Sequence, residues 1–429
     1  MFFDRFDVGR HAVLLHVRLD DTETFDAQEF GELARSAGID VVGEMLASRR
    51  QAHPRWLVGS GKVEEARDHV IAVEANLVLV NAEMTPGQQR NLEVAVECRV
   101  MTRTELILNI FADRARTHEG QLQVELAQLK HAQTRLIRGW THLDRQKGGI
   151  GLRGAGETQL ELDQRLLGER IKTLQKKLGR VERRRGQGRR RRHRSGTRTI
   201  ALVGYTNAGK STLFNTLTSA DVAVQDRLFA TLDPTMRKLK IPGVGDVVMA
   251  DTVGFVSRLP HTLVDAFKAT LEELKGSDLL LHVVDGSVLD SDRRVADVLE
   301  VLKEIGAASV PMVTVLNKSD LVTKGELPLK DTLRVSARTG AGLENLIDAL
   351  GRALGVEGCP IEVMLPAAQG KTRAWLYEAG AVLDEQTAAD GGVVLTVRAD
   401  NRLLNRLRRT PRVFLRNLGP VPRISSLPN

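Results

Sequence analysis

The sequence predicts an α/β fold in which two parallel-sheet domains are separated by a long antiparallel helical arm and followed by a small α+β module. Three observations predict it. Short apolar runs alternate with helix-period stretches in residues 1–112, and again in 199–357. Between them, leucines recur every seven residues on both sides of one glycine-rich loop. The 429 residues and 42% hydrophobic content leave room for about three domains, each with its own core. The expected boundaries are 1–112 for the N-terminal α/β domain, 113–182 for the arm, 183–198 for a basic linker, 199–357 for the second α/β domain and 358–429 for the C-terminal module.

Composition narrows the function classes. No apolar run reaches the roughly 18 residues of a membrane span, and Met1-Phe-Phe-Asp-Arg5 lacks the basic start and apolar stretch of a signal peptide. The two cysteines, Cys98 and Cys359, are far apart, which fits a reducing compartment and excludes a disulfide framework or a cysteine zinc site. A cytoplasmic monomer is expected. The formal charge of +8 points toward nucleic acid or another anionic surface.

In chain order, 12–17, 39–45, 76–80 and 99–101 read as strands, and 25–37, 63–74 and 85–96 as helices. Gly59-Ser-Gly-Lys62 reads as a strand-to-helix turn, because Trp56 stands where a phosphate loop would need glycine. In the arm, Leu122, Leu129, Leu136 and Leu143 form one heptad series, with Leu126 and Trp140 between them and Gln133 as a polar exception. Leu160, Leu167, Leu174 and Val181 form the other, with Ile171 and Leu178 between. Two helices zipped antiparallel are expected, the first about 40 Å long at about 1.5 Å per residue. The tip, Lys147-Gly-Gly-Ile-Gly-Leu-Arg-Gly-Ala-Gly156, is rich in glycine, and Arg145, Lys147 and Arg153 surround it. Small residues with positive charge suit close approach to an RNA backbone. The nine arginines between Glu182 and Arg198 read as an unfolded tether, either a plain linker or a polyanion contact.

The second α/β domain carries the chemistry. Thr199-Ile-Ala-Leu-Val203 reads as a buried strand and Ser211 to Leu217 as the start of a helix. Between them Gly204, Tyr205, Thr206, Asn207, Ala208, Gly209, Lys210 and Ser211 fit G-x-x-x-x-G-K-[ST], the P-loop. Its backbone N–H groups would wrap phosphates at a helix start, with Lys210 reaching the β- and γ-phosphates. Phe229-Ala-Thr-Leu-Asp-Pro-Thr235 follows with two threonines, one of which should ligate Mg²⁺ together with Ser211. Asp251, Thr252, Val253 and Gly254 fit D-x-x-G after a strand, placing Asp251 on Mg²⁺ through water and the Gly254 N–H at the γ-phosphate. Asn317, Lys318, Ser319 and Asp320 fit N-K-x-D. The Asp320 carboxylate can accept from both the N1–H and the 2-amino group of guanine, which adenine cannot match. Ser336, Ala337 and Arg338 end a further strand at the guanine edge. These five motifs in this order predict GTP as ligand, with GDP and phosphate as products of transfer to water. Lys210 and Gly254 are candidate catalytic positions. The residue after D-x-x-G, often a water-orienting glutamine, is Phe255, so slow intrinsic hydrolysis raised by a partner is expected.

At this point the chain resembles the HflX family of translation-factor-related P-loop GTPases. Gly204 to Ser211, Phe229 to Thr235 and Asp251 to Phe255 are similar to its G-domain motifs, and Gly151-Leu-Arg-Gly-Ala-Gly-Glu157 to its N-terminal glycine-rich motif. The resemblance implies Thr231 as the Mg²⁺ ligand and third catalytic position, with Phe229, Ala230, Leu232 and Asp233 beside the nucleotide. It implies binding to the large ribosomal subunit and its RNA, and splitting of stalled ribosomes, notably under heat stress. A GTP-gated RNA chaperone or RNA-processing regulator acting off the ribosome is the alternative. In the tail, 361–365 and 393–397 read as strands and 372–385 and 402–409 as helices, a small α+β module with a docking role.

Overall fold

Valine and leucine dominate the central strands of the N-terminal sheet, as expected of strands buried on both faces, with His16 the buried polar exception. A computed structural model describes residues 11–19, 27–146, 159–195, 197–220, 228–229, 231–257, 273–288, 291–322, 332–354, 360–379, 381–387, 391–398, 403, 406–408, 410–411 and 413–417. The chain divides into two units. One comprises Met1–Gly186, Gln225–Asp233 and Arg258–Ala269; the other comprises Gln187–Val224, Pro234–Ser257 and Thr270–Asn429.

In the first unit, β1 (His11–Arg18), β2 (Asp40–Ser48), β3 (Leu77–Val80) and β4 (Arg99–Thr102) form a parallel sheet in the order β2-β1-β3-β4. All four residues of β3 are buried. The helices α1 (Ala27–Ser36), α2 (Ser60–Ala72), α3 (Pro86–Val96) and α4 (Arg103–Arg114) connect or follow these strands. Thr85 and Thr102 start α3 and α4 with reciprocal capping boxes to Gln88 and Glu105. Gly59 is the N-cap of α2, and Ser60-Gly61-Lys62 form its first turn rather than a strand-to-helix turn, since β2 ends at Ser48. Helix α4 was not legible as a separate element, since its apolar residues are not confined to one stripe: Leu106, Ile107, Leu108, Ile110 and Phe111 are all buried.

The arm is α5 (His118–Gln146) and α6 (Gln159–Ser195). Leu122, Leu126 and Leu129 pack with Ile171, Leu174 and Leu178, and Leu167 lies against them, which is the heptad seam. The tip at 147–158 lies outside the described residues, as do the side chains of Arg145, Trp140, Leu143 and Leu160. One expectation is corrected. Residues 183–195 are the end of α6, not an unfolded tether. Arginine is a good helix former, and Arg185 is pinned to Glu119 of α5 at 2.9 Å.

The second unit holds a six-stranded sheet in the order β10-β9-β8-β5-β7-β6. Its strands are β5 (Arg198–Val203), β6 (Thr235–Ile241), β7 (Gly245–Asp251), β8 (Leu279–Asp285), β9 (Met312–Asn317) and β10 (Leu333–Arg334). All neighbours are parallel except the β6–β7 hairpin. Helices α7 (Lys210–Thr218), α8 (Ser291–Glu304) and α9 (Leu343–Ala353) belong to this unit. Ile200, Leu202, Leu213, Phe214, Leu281, Val315 and Leu346 form its core.

The same unit contains an antiparallel sheet in the order β12-β13-β11-β14, from β11 (Pro360–Leu365), β12 (Val382–Thr387), β13 (Val393–Arg398) and β14 (Phe414–Asn417). Helix α10 (Gly370–Glu378) packs Leu376 into its core. Here the expected 372–385 helix is also corrected. It stops at Glu378, and 382–387 pairs as a strand with β13. The apolar residues Ala381 and Val382 satisfy the sheet core there, and the ladder overrides helix propensity. Of the expected 402–409 helix, the described residues 403 and 406–408 are helical, with Leu407 fully buried.

Candidate nucleotide site

The site is built where β5, β7, β8 and β9 end, the edge at which open parallel sheets present ligand-binding loops. The P-loop joins β5 to α7. Two of its glycines have positive φ, Gly204 at 149° and Gly209 at 86°. Gly204 passes over the Val283 carbonyl, and Gly209 passes the Asn317 side chain so closely that a Cβ at either would overlap its neighbour.

Lys210 is buried and donates to the carbonyls of Gly204 (3.1 Å) and Tyr205 (2.7 Å). Burial pulls the pKa of its ammonium down to about 8, with Asp251 opposing the change. The Ser211 hydroxyl donates to Asp251 Oδ2 at 2.7 Å. A hydroxyl and a carboxylate, both hard oxygen donors, fit Mg²⁺, which is usually held by few protein ligands together with phosphate. Among the described residues no cluster of three or more His, Cys, Asp or Glu could hold a metal ion. Thr252 lies buried behind this pair and donates to the Leu202 carbonyl at 2.6 Å.

Gly254 sits against Lys210 and Thr206. A Cβ there would lie 2.8 Å from Lys210 Nζ and 2.8 Å from Thr206 Cγ2. Phe255 turns inward and is only 2% exposed. Its N–H donates to the Gly204 carbonyl (3.1 Å), and its carbonyl accepts from the Thr206 N–H (2.7 Å).

One side chain ties the N-K-x-D motif to the P-loop. Asn317 donates from Nδ2 to the Ala208 carbonyl (2.9 Å) and accepts at Oδ1 from the Ala337 N–H (3.0 Å). It thereby joins the P-loop, β9 and the Ser336-Ala337-Arg338 turn. Asp320 is exposed, and the Ser336 hydroxyl donates to its Oδ1 at 2.6 Å. That bond holds the pKa of the Asp320 carboxyl below its ordinary value. Lys318, at a φ of 62°, pairs with Asp285 at 2.8 Å.

Asp285 is a participant that sequence reasoning missed. It ends the fully buried β8 run Leu279-Leu-Leu-His-Val-Val-Asp285 and also accepts from the Ser287 N–H and hydroxyl. An acid closing an apolar strand was the available signal.

The remaining candidates fall outside the second unit's sequence or outside the described residues. Phe229, Thr231, Leu232 and Asp233 belong to the first unit, and Ala230 lies outside the described residues. In that unit the Phe229 ring meets Phe111 edge-on at 4.6 Å, and the Leu228 N–H donates to Ser36 Oγ at 2.9 Å. Lys147 and Arg153 are outside the described residues.

Residues 25–112 match a family model described as GTP-binding GTPase N-terminal, and 114–192 match its GTP-binding GTPase Middle Region counterpart. Residues 199–318 match the 50S ribosome-binding GTPase model, and 320–413 the HflX C-terminal domain. GTPase HflX of Escherichia coli (strain K12) is 49% identical over 404 residues, covering 92% of this chain and 95% of the relative. GTPase HflX of Magnetococcus marinus is 47% identical over 390 residues, covering 88% and 90%. The chain therefore belongs to the HflX family of GTPases.

Proposed function

We propose that this protein is a GTP-hydrolysing switch that binds the large ribosomal subunit through its RNA, splits or rescues stalled ribosomes, and is released when GTP becomes GDP and phosphate. The observation that carries the GTP part is the Asn317 clamp, which fixes the P-loop and the Asp320 base reader in one frame. In this reading Asp320 accepts from the guanine N1–H and 2-amino group, and Ala337 and Arg338 edge the base. Lys210 and the P-loop amides neutralise the β- and γ-phosphates, and the Gly254 N–H meets the γ-phosphate. Ser211 and Thr231 would hold Mg²⁺ directly and Asp251 through water; the ion supplies charge neutralisation on the phosphates. Phe255 is packed away and has no group to orient the attacking water, so a ribosomal partner completes the site and raises turnover.

The ribosomal part is supported by the family and by the arm. The printed description of the matched G-domain family is 50S ribosome-binding GTPase. The zipped helices offer a rigid lever, and Arg145, Lys147 and Arg153 would meet RNA phosphates at its tip. The protein would act as a monomer in the cytoplasm. The division 1–112, 113–182, 199–357 and 358–429 is kept as the proposal, with 183–195 belonging to α6 rather than to a linker.

Co-sedimentation with purified ribosomal subunits tests this. Association with the large subunit is expected with a non-hydrolysable GTP analogue and not with GDP, and light scattering of intact ribosomes should fall. GTP-independent binding to any RNA, with ribosomes left intact, would favour the RNA-chaperone alternative.

A further inference from the structure

The side chain of Tyr205 is not explained by phosphate binding, which uses the P-loop backbone. Its ring is 5% exposed, and its hydroxyl oxygen accepts from the Ser257 N–H at 2.5 Å. The Arg294 guanidinium of α8 lies over the ring, 4.9 Å from its centroid. Tyr205 and Phe255 also form a parallel bridge. Three hydrogen bonds therefore fasten 255–257 to the P-loop: Phe255 N–H to Gly204 O, Thr206 N–H to Phe255 O, and Ser257 N–H to Tyr205 Oη. Two are backbone bonds that any sequence could form. The third requires a hydroxyl at this length from residue 205.

We infer that Tyr205 is a positioning residue for hydrolysis: its hydroxyl pins Ser257 and so holds the Gly254 amide beside Lys210. The geometry explains why such a pin matters. Gly254 is wedged between Lys210 Nζ and Thr206, with no room for even a methyl group. A segment that close transmits a small slide at 257 directly to the amide at 254. The γ-phosphate is sensed through that amide, whereas GDP does not reach it. The pin therefore acts on GTP and its transition state and leaves GDP binding alone. This chain has Phe255 in place of a water-orienting side chain, so the placement of the 251–257 segment is a larger share of what the protein itself contributes. The inference rests on the reading that Gly254 meets the γ-phosphate.

Tyr205→Phe removes the hydroxyl and keeps the ring under Arg294. Single-turnover hydrolysis should slow about tenfold, the size of one lost hydrogen bond. GDP affinity should be unchanged, and amide exchange at 255–257 should quicken. Ser257→Pro removes the donor from the other side and should slow hydrolysis similarly. The double variant should be no slower than the slower single variant, because both delete one interaction. Unchanged hydrolysis in Tyr205→Phe, or an equal loss of GDP affinity, overturns the inference. Absence of GTP hydrolysis in the unaltered protein would instead overturn the GTPase reading itself, so the two failures are distinguishable.

Discussion

The Asp233 carboxylate caps α5 from a segment more than a hundred residues away, through Thr117. It accepts from the Thr117 N–H at 2.9 Å, from the Arg116 N–H at 3.1 Å and from the Thr117 hydroxyl. The Thr117 oxygen in turn accepts from the Gly120 N–H at 3.0 Å. A negative group at a helix start also meets the positive end of the helix dipole. Gly120 completes the arrangement, since a Cβ there would collide with the carboxylate.

Asp233→Ala is therefore expected to destabilise the first unit by about 1–2 kcal/mol, the usual cost of a lost cap. Amide exchange at 116–120 should accelerate while exchange in β5 and β7 stays as it was. Unchanged exchange at 116–120 would mean that the carboxylate does not hold α5.

Burial of Lys210 gives a stability signature with a definite sign. Its folded-state pKa of about 8 lies below the unfolded 10.5. Between those values the unfolded chain carries more protons, so stability rises with pH across that window. The gain should be about 2 kcal/mol between pH 7 and 9.5, since each pH unit inside the window contributes about 1.4 kcal/mol. Lys210→Met removes the titrating group. The difference in unfolding free energy between Met and Lys proteins, measured without nucleotide, should narrow by that amount over the same range. A constant difference would show that Lys210 is not desolvated. The same variant is expected to lose GTP binding.

Gly209→Ala probes the joint between phosphate and base ends. Its φ of 86° disfavours any side chain, and a Cβ would overlap Asn317 Nδ2, the atom that donates to Ala208. The added methyl must break that bond or displace the P-loop. Nucleotide affinity should fall at least tenfold for GTP and GDP alike, since both use this joint; one lost bond and the strain together are worth about 2 kcal/mol. A titration with fluorescent GDP measures it. Retention of full GDP affinity would count against the clamp.

The parts that sequence made legible share a physical cause. Glycines at Gly204 and Gly209, the lysine between P-loop and helix, and acids at strand ends are fixed by local backbone and charge demands, so each leaves a mark within a few residues. The heptad seam from Leu122 to Leu178 is legible for the same reason, since a repeat declares its own partner face. What stayed hidden was set by distant contacts. The helical end of α6 depends partly on Glu119, and β12 depends on β13. The Asp233 carboxylate reads as a nucleotide-side residue in sequence, yet its bonds run to Thr117, a relation no local pattern encodes. Tyr205 fits the P-loop motif as a variable position, and its hydrogen bond to Ser257 spans 52 residues.

In the proposed reading, base selection rests on Asp320 and its support, Ser336. The Ser336 hydroxyl donates to Asp320 Oδ1, lowering the pKa of the carboxyl and holding this acceptor in place. Asp320→Asn replaces one acceptor oxygen with a donor NH₂ group. Against guanine this sets donor against donor at one of the two contacts, and two charge-assisted bonds are lost. GTP affinity should fall by about two orders of magnitude, corresponding to about 3 kcal/mol. Xanthosine triphosphate carries a carbonyl where guanine carries the amino group, so its affinity should rise in the same variant. Ser336→Ala leaves the carboxylate in place and removes only its anchor, so a loss of about fivefold with unchanged base preference is expected. Competition of GTP, ATP and xanthosine triphosphate against a fluorescent guanine nucleotide separates these outcomes. An Asp320→Asn protein that kept its preference for GTP over xanthosine triphosphate would remove Asp320 from base recognition.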